Sequence, residues 1–286
     1  MSQYEKRGYL LENFRLFHLR TEKPTAVDYH YHDFCKMILI ISGGGSYFID
    51  GHRYLLQSGD IILLGSNSVH RPELDASSVY ERIIIYISPV FLKNTSSADC
   101  DLVALFSAEN SNIVRLKEKQ RKRIFDMTAT LERDLTEEGY GREVLSNADL
   151  LRLLVAIGRI ISDKESLRPS PEIPTNNRVL EIMKYIDDNI SEELNVDKIA
   201  QQFYISKYHM MRLFHAHTGE TIHNYMTIRR LLLAKELIDG GMRATEACYQ
   251  CGFHSYSSFT RSYSKHLGTT PTGRIDAQRA KPIDFE

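Results

Sequence analysis

Hydrophobic and polar positions alternate in short runs from about residue 13 to residue 88 of the chain. The apolar runs lie at 36–41, 47–49, 52–56, 61–64 and 80–87. Asp50-Gly51 separates two of these runs and supplies the positive φ angles of a two-residue hairpin turn. Gly59-Asp60 and the Ser-Gly-Gly-Gly-Ser stretch at 42–46 predict further turns. Short strands joined in this way are typical of a small barrel or sandwich.

Helical periodicity replaces the alternation at 117–135 and 143–161. The second stretch carries a stripe of apolar residues three and four positions apart, namely Leu150, Leu151, Leu153, Leu154, Ile157 and Ile160. Two such helices beside a barrel either pair two subunits or cover a face of the barrel itself. The pattern leaves both open, and we expect dimerisation. Residues 166–177 contain three prolines, which predicts a linker with few contacts across it.

The last third of the chain reads as helices separated by short turns. An amphipathic pattern over 179–190 precedes a helix that Asn195 caps. The next predicted helix spans 206–218. The helix after it, 222–238, is apolar on nearly all sides, which predicts a buried spacer, and it ends at Gly240-Gly241. A further helical unit spans 244–267.

Two stretches of this helical region repeat each other at a spacing of 49 residues. The matched pairs are Ser206 and Ser255, Arg212 and Arg261, Phe214 and Tyr263, His217 and His266, Gly219 and Gly268, and Thr221 and Thr270. Each copy places serine where a helix begins and glycine where it ends. Two helix-turn-helix units in one chain can place one helix each in successive major grooves of DNA. The repeat predicts a DNA-binding protein.

Composition limits how that binding works. The net charge of the 286 residues is −1, with 14 basic and 13 acidic residues from Asn177 onward. DNA binding must therefore depend on local placement of charge. We expect no membrane span and no signal peptide. Four scattered cysteines form no disulfide framework and predict a reducing, cytoplasmic location.

The identity and spacing of residues in the second copy resemble those of a known protein family. The residues that carry it are Gly252-Phe253, Phe259, Arg261, Tyr263 and Gly268-Thr269-Thr270-Pro271, with Tyr225, Arg230 and Ala234 on the spacer helix. Over about a hundred C-terminal residues the chain resembles the AraC/XylS family of bacterial transcription regulators. Its front half is similar to the cupin-type sensor domain of sugar-responsive members, through His30-Tyr31-His32, Gly59-Asp60 and His70.

The resemblance implies a multidomain fold. An N-terminal all-β cupin-like barrel with flanking helices would precede a C-terminal all-α domain of two helix-turn-helix units joined by a long helix. We expect a ligand-sensing domain at 1–110, a helical dimerisation segment at 111–165, the linker at 166–177 and the DNA-binding domain at 178–286. The family implies a homodimeric activator that binds promoter DNA, contacts RNA polymerase and senses a small molecule, here a carbohydrate. A metal-dependent cupin enzyme with an appended helical domain is the alternative.

The resemblance also assigns residues to DNA contact. The expected set is Ser206, Lys207, Tyr208, Met211 and Arg212 in the first unit, and Ser255, Tyr256, Ser257, Thr260 and Arg261 in the second. Arginine can donate two hydrogen bonds to guanine, and Met211 can touch only a thymine methyl or a sugar. A phosphate contact or an internal ion pair stays open for both arginines. We expect Lys207, Lys265 and the helix amino ends at the two serines to hold phosphates.

Other residues near these helices have structural roles in the same interpretation. Met210, Leu213, Phe214 and Phe259 should be core, and Arg230 should pin the spacer helix rather than touch DNA. Tyr204 stands where a turn glycine is expected, and the first turn is one residue shorter than the second.

Cys248 and Cys251 form a C-x-x-C motif on an apolar helix stripe. No second pair completes four metal ligands, so we expect both in the core.

His30, His32 and His70 raise the question of a metal. In metal-binding cupins a glutamate accompanies such histidines, and Lys36 stands at its position. A cation there disfavours a metal, so we predict no metal, no cofactor and no catalytic residue. We expect these histidines, with Lys36 and Tyr47, to line a pocket that hydrogen-bonds hydroxyl or carboxylate groups. A purely structural role for His30 and His70 stays open.

Overall fold

The structure is a computed structural model. It describes residues 5–6, 10, 12–23, 27, 30–50, 52–66, 68–75, 78–107, 113–163, 177–218, 220–267 and 269–273.

The front half of the chain folds into two five-stranded sheets that enclose an apolar interior. The first sheet has the order β1 (Glu5–Lys6), β3 (His30–Tyr31), β8 (His70–Leu74), β5 (Gly45–Ile49) and β6 (His52–Leu56). The second has the order β10 (Ile113–Arg115), β7 (Asp60–Leu64), β4 (Cys35–Ser42), β9 (Tyr80–Ile87) and β2 (Phe14–Thr21). The cupin-like architecture predicted from the sequence is confirmed.

Local sequence signals explain the strands that were predicted. Ile49 pairs with His52 across the β5–β6 hairpin, so two residues make the turn, and Asp50 has a φ of +44°. The central strand β4 lies between β7 and β9 and is buried over most of its length. A strand covered on both faces needs a continuous apolar run instead of alternation, and 36–41 is such a run.

Helices cover the outer face of the second sheet. They are α1 (Pro89–Thr95), a short 3₁₀ helix (Ala104–Phe106), α2 (Glu118–Thr136) and α3 (Arg142–Ser162). The apolar stripe of α3 packs into one cluster with the sheet, in which Leu153, Leu154 and Ile157 are fully buried. Of the two roles that the pattern allowed for this stripe, the structure therefore shows the covering of the barrel.

One part of the predicted helical segment 111–165 is a strand. β10 pairs with β7 at the edge of the second sheet. An ion pair joins the two strands, because Arg115 Nε lies 2.9 Å from Oδ1 of the buried Asp60. The β domain therefore extends past residue 110 through a non-local pairing that periodicity does not register.

The C-terminal region is helical, as predicted. Its helices are α4 (Asn177–Asp188), α5 (Val196–Gln202), α6 (Lys207–Thr218), α7 (Ile222–Asp239), α8 (Ala244–Gln250) and α9 (Tyr256–Leu267). Asn195 caps α5 by accepting a hydrogen bond from the Lys198 amide at 2.9 Å. The predicted linker lies outside the described residues except for Asn177, which begins α4. No helix in the described ranges is long and apolar enough to span a membrane.

Helix α7 is the spacer between the two helix-turn-helix units. It buries residues on several sides, among them Ile222, Leu231 and Ala234. Arg230 fixes it in place, since its guanidinium donates to the carbonyl oxygens of Ile190 and Glu192 at 3.0 Å. The prediction that Arg230 pins this helix agrees with these contacts.

The two regions of the chain pack directly against each other. Tyr31 and Val69 of the β domain belong to the same buried cluster as the C-terminal helices. The Tyr31 hydroxyl donates a hydrogen bond to the carbonyl oxygen of His266 at 2.8 Å. The linker predicted few contacts between the domains, and its composition did not indicate which surfaces meet at Tyr31 and Val69.

Candidate DNA-binding surface and effector site

Helices α6 and α9 present their amino ends to solvent, each capped by the predicted serine. Ser206 Oγ accepts from the His209 amide at 3.3 Å, and Ser255 Oγ accepts from the Ser258 amide at 3.4 Å. Both serines are exposed. The remaining amides at each end point outward, which is the arrangement that holds a phosphate.

The first turns of α6 expose the residues that the resemblance assigned to DNA. Tyr208 is 73 % exposed and Met211 is 38 % exposed, while Met210 and Phe214 are fully buried. Arg212 is exposed and, within the described part of the chain, makes no side-chain hydrogen bond or ion pair. The described residues therefore do not support an internal ion pair as the role of Arg212. Helix α6 thus has one polar outer face and one core face.

Helix α9 exposes fewer of its predicted contact residues. Ser257 and Arg261 are exposed, but Tyr256 and Thr260 are half-buried. The ring of Tyr256 lies 5.9 Å from that of the buried Phe259. Thr260 Oγ1 donates to the carbonyl oxygen of Tyr256 at 2.8 Å. These two side chains already contact other parts of the protein and are only partly accessible to DNA.

Two basic residues lie against the protein surface. Lys207 Nζ pairs with Asp197 Oδ2 at 2.9 Å, and Arg261 Nε donates to the Ser257 carbonyl oxygen at 3.3 Å. Both interactions are exposed and therefore weak in water. Each side chain can swing to a phosphate or a base at small cost.

The turns of the two units differ at one equivalent position. Gly252 adopts a φ of +78° between α8 and α9, and Tyr204 adopts +53° between α5 and α6. Arg230 packs against Gly252, where an added Cβ would lie 3.1 Å from the guanidinium. The first turn therefore carries the backbone strain that glycine relieves in the second.

Cys248 and Cys251 are fully buried in the C-terminal core. Burial raises the pKa of the Cys251 thiol to about 11. The thiols therefore stay protonated and pack as small apolar groups, in agreement with the expected core role.

Three histidines converge inside the β domain. His30 pairs in register with His70 across β3 and β8. His32 directly follows β3, and its ring centroid lies 5.1 Å from those of His30 and His70. A ring nitrogen of each lies within 4.8 Å of one from each of the others. All three side chains are buried, with exposed fractions of 0 %, 4 % and 1 %. The sequence motif therefore corresponds to one compact site.

Lys36 and Tyr47 lie in the walls around this cluster. The Tyr47 ring stacks on His70 at a centroid distance of 5.9 Å. Lys36 Nζ lies 5.7 Å from the centre of the Tyr86 ring, which is itself 5.8 Å from the ring of His32. All five predicted ligand residues are buried. They bring imidazole, ammonium and phenol groups to one interior region.

The residues between the histidines face the DNA-binding domain. Tyr31 lies between His30 and His32 in sequence and packs among the C-terminal helices, and Val69 does the same beside His70. Strand geometry causes this, because successive side chains point to opposite faces. Tyr31 and Val69 were not predicted as contact residues, although the His-Tyr-His motif indicates this alternation.

A second link between the domains is electrostatic. Asp50, in the β5–β6 turn, accepts from the Val69 amide at 2.9 Å and interacts with Arg229 on α7. Arg229 Nε lies 2.8 Å from Asp187 Oδ1 on α4, and the Tyr225 hydroxyl donates to the same carboxylate. Burial raises the pKa of Asp50, while the Val69 amide and Arg229 oppose that rise. The hairpin turn thus joins a half-buried charge network of the DNA-binding domain.

Comparison with known proteins agrees with both parts of the fold. The model of an AraC-like ligand binding domain matches residues 16–166, and a helix-turn-helix domain model matches residues 199–273. The HTH-type transcriptional activator RhaS of Salmonella heidelberg is 24 % identical over 247 residues, which is 85 % of each chain. RhaS of Salmonella typhi is 23 % identical over the same share.

Solved structures match this chain at low similarity. Fatty-acid-bound ToxT from Vibrio cholerae is 14 % identical, covers 92 % of this chain and 95 % of its own, and has a TM-score of 0.37. An AraC-type regulator from Chromobacterium violaceum is 29 % identical over 38 % of this chain and 96 % of its own, with a TM-score of 0.33. Since the ligand-binding model alone spans more than half of the chain, this protein belongs to the AraC family of transcription regulators.

Proposed function

We propose that this chain is a cytoplasmic transcription activator that binds promoter DNA through α6 and α9 and responds to a small effector held in the β domain. The observation that carries the proposal is the alternation along β3. His30 and His32 point into the candidate effector site, and Tyr31 between them contacts the last turn of α9. A ligand that moves β3 therefore moves a residue docked on a DNA-binding helix.

The DNA contacts follow from the exposed faces. Arg212 and Arg261 are equivalent in the repeat, and both are exposed to solvent near the middle of their helices. Two such helices in one chain read successive major grooves about 34 Å apart. The near-neutral C-terminal region makes base contacts at these arginines a large part of specificity.

The effector that suits the site is a carbohydrate or a sugar acid. His30, His32, His70 and Tyr47 offer hydrogen bonds to hydroxyl groups, and Lys36 offers a charge to a carboxylate. Burying these polar groups is costly unless each is hydrogen-bonded. A polyhydroxylated ligand adds partners of that kind.

The protein assembly is also part of the proposal. We propose a homodimer whose contact includes the exposed start of α3, where Val144 and Leu145 are 74 % and 51 % exposed. RNA polymerase is the proposed second protein partner, in keeping with relatives named transcriptional activators. Because those relatives are regulators, the metal-dependent enzyme is the weaker interpretation.

The DNA assignment is tested by selecting binding sites from random DNA with the full chain and then measuring affinity by fluorescence anisotropy. Arg212→Ala and Arg261→Ala should each cost about 1–3 kcal/mol and relax base preference at one half-site. Arg159→Ala, at an exposed position of α3, is the matched control and should bind normally. Unchanged affinity and sequence preference in both arginine variants would contradict the assignment.

The effector assignment is tested by a thermal-shift screen of sugars and sugar acids. A ligand at a hundredfold excess over its dissociation constant should add about 2.7 kcal/mol to the free energy of unfolding. His32→Ala should abolish the shift, and His52→Ala, outside the cluster, should retain it. A screen without any stabilising compound would favour a β domain that serves only to dimerise.

A further inference from the structure

We propose that His30, His32 and His70 bind one divalent transition-metal ion. This ion would lie inside the proposed effector site, which the same three histidines line. The three ring centroids lie 4.3 to 5.1 Å apart, and one nitrogen from each ring lies within 4.8 Å of the others. Nitrogens bound to one zinc ion at about 2.1 Å and tetrahedral angles are about 3.4 Å apart. Small rotations of buried side chains close that difference.

The hydrogen bond of His70 sets its ring for metal binding. Its Nδ1 lies 2.9 Å from the carbonyl oxygen of Ser68. A carbonyl can only accept, so Nδ1 carries the proton and the neutral ring presents its lone pair on Nε2. Histidines that bind metals commonly donate their other ring N–H to a backbone carbonyl in this way.

The surroundings hold the rings and keep water away. The Phe34 ring stacks on His32 at 4.6 Å with an interplanar angle of 14°, and the Nε2 atoms of all three histidines are shielded from solvent. Shielded ligands with fixed orientations reduce the entropy lost when an ion binds. The ion itself needs only the space between the three nitrogens.

Donor chemistry selects the class of metal. Three imidazoles favour zinc, nickel, cobalt or copper over magnesium and calcium, which prefer oxygen ligands. Three protein ligands also leave coordination positions open. Lys36, buried in the wall beyond Tyr86, repels a bare cation but attracts an anionic oxygen at an open position. The lysine that argued against a metal in the sequence thus fits an ion bound together with an anionic ligand.

The test uses the full chain without a polyhistidine tag, stripped with a chelator and titrated with Zn²⁺, Ni²⁺, Co²⁺ and Mg²⁺ alone. We expect one transition-metal ion per chain by elemental analysis, a visible Co²⁺ absorption band from nitrogen ligands, and a higher melting temperature. Magnesium should have none of these effects.

Variants locate the ion. His70→Ala removes a proposed ligand and should weaken binding by about 100-fold or more, since loss of a residue that only orients a ligand already costs about 10–100-fold. His18→Ala is the control, because this exposed histidine contacts Glu81 and Glu132 and is the alternative surface site for a metal. Lys36→Met removes the charge that repels a bare cation and should strengthen metal binding about tenfold. Because this variant keeps all three histidines, its result tests the site even if a histidine variant fails to fold.

Stoichiometric loss of the ion in His18→Ala, or no transition metal bound by the wild-type chain, would overturn the proposal. The inference rests on the proposed effector site, but metal titration uses no DNA. DNA binding without metal binding would therefore reject this inference alone, and metal binding without DNA binding would reject the proposed function.

Discussion

The hydroxyl of Tyr31 lies 2.8 Å from the carbonyl oxygen of His266 and joins strand β3 to the last turn of α9. Tyr31 is fully buried, and the residues on either side of it belong to the histidine cluster. The bond satisfies a carbonyl at a helix end, where no amide of the same helix is available. Through this hydrogen bond, a residue that stands between His30 and His32 in the chain contacts the DNA-binding domain directly.

Replacing Tyr31 with phenylalanine should loosen this contact without emptying the core. We expect the free energy of unfolding to fall by about 0.5–1.5 kcal/mol, as for one hydrogen bond. Amide hydrogen exchange at residues 264–267 should become faster. Tyr140→Phe, at a fully exposed tyrosine, is the control. Unchanged exchange in Tyr31→Phe would mean that the contact does not hold the end of α9.

Replacing Tyr204 with glycine should stabilise the first helix-turn-helix unit. Tyr204 holds a φ of +53° and is 94 % exposed, so the side chain packs little and the backbone is strained. Relief of left-handed strain is worth about 1 kcal/mol, and chemical denaturation measures it. Gly252→Ala should have the opposite effect, because Arg230 crowds that position. A loss of stability in Tyr204→Gly would show that the tyrosine makes a contact we have not assigned.

Stability should depend on pH through His266. Burial, and secondarily the charge of Lys265, lowers the pKa of His266 to about 4. The folded state therefore holds this ring neutral, and its stability is complete above the unfolded pKa of about 6.5 and lost as pH falls from there towards 4. Thermal melts between pH 7 and pH 4 should show this loss, and His266→Gln should reduce it. Parallel pH profiles for wild type and variant would exclude the histidine as the cause.

A buried carboxylate pair between α2 and α3 predicts a stabilising substitution. Burial first, and then a hydrogen bond and the charge of Asp134, raise the pKa of Asp149. An acid whose pKa is raised by folding opposes folding when it ionises, so stability at neutral pH should increase in Asp149→Asn. Denaturant melts at pH 7 measure this gain, which should shrink as the pH is lowered. The exposed Asp126→Asn should have no effect, and a destabilised Asp149→Asn would contradict the assigned cause.

Signals within a few residues predicted much of this fold. Asp50-Gly51, the serines before α6 and α9, and Gly240-Gly241 act locally, so their elements were placed to within a residue or two. The pairing of β10 with β7 depends on residues 51 to 55 positions apart, and no local pattern reports it. The stripe of α3 has the same periodicity whether it covers a sheet or pairs subunits, so the pattern could not choose between them.

The candidate site shows the same division. The motif identified His30, His32 and His70, but their convergence depends on the register of β3 with β8, which links positions 40 residues apart. The packing of Tyr31 against α9 depends on how two domains meet. Neither relationship has a local signature in composition or spacing.

A footprint of the full chain on its selected DNA site, with the two arginine variants alongside, tests most directly whether α6 and α9 read DNA. We expect two protected segments on one face of the duplex about 34 Å apart, with Arg212→Ala releasing one and Arg261→Ala the other. A single protected segment, or two segments that both variants leave intact, would contradict the claim that α6 and α9 read DNA.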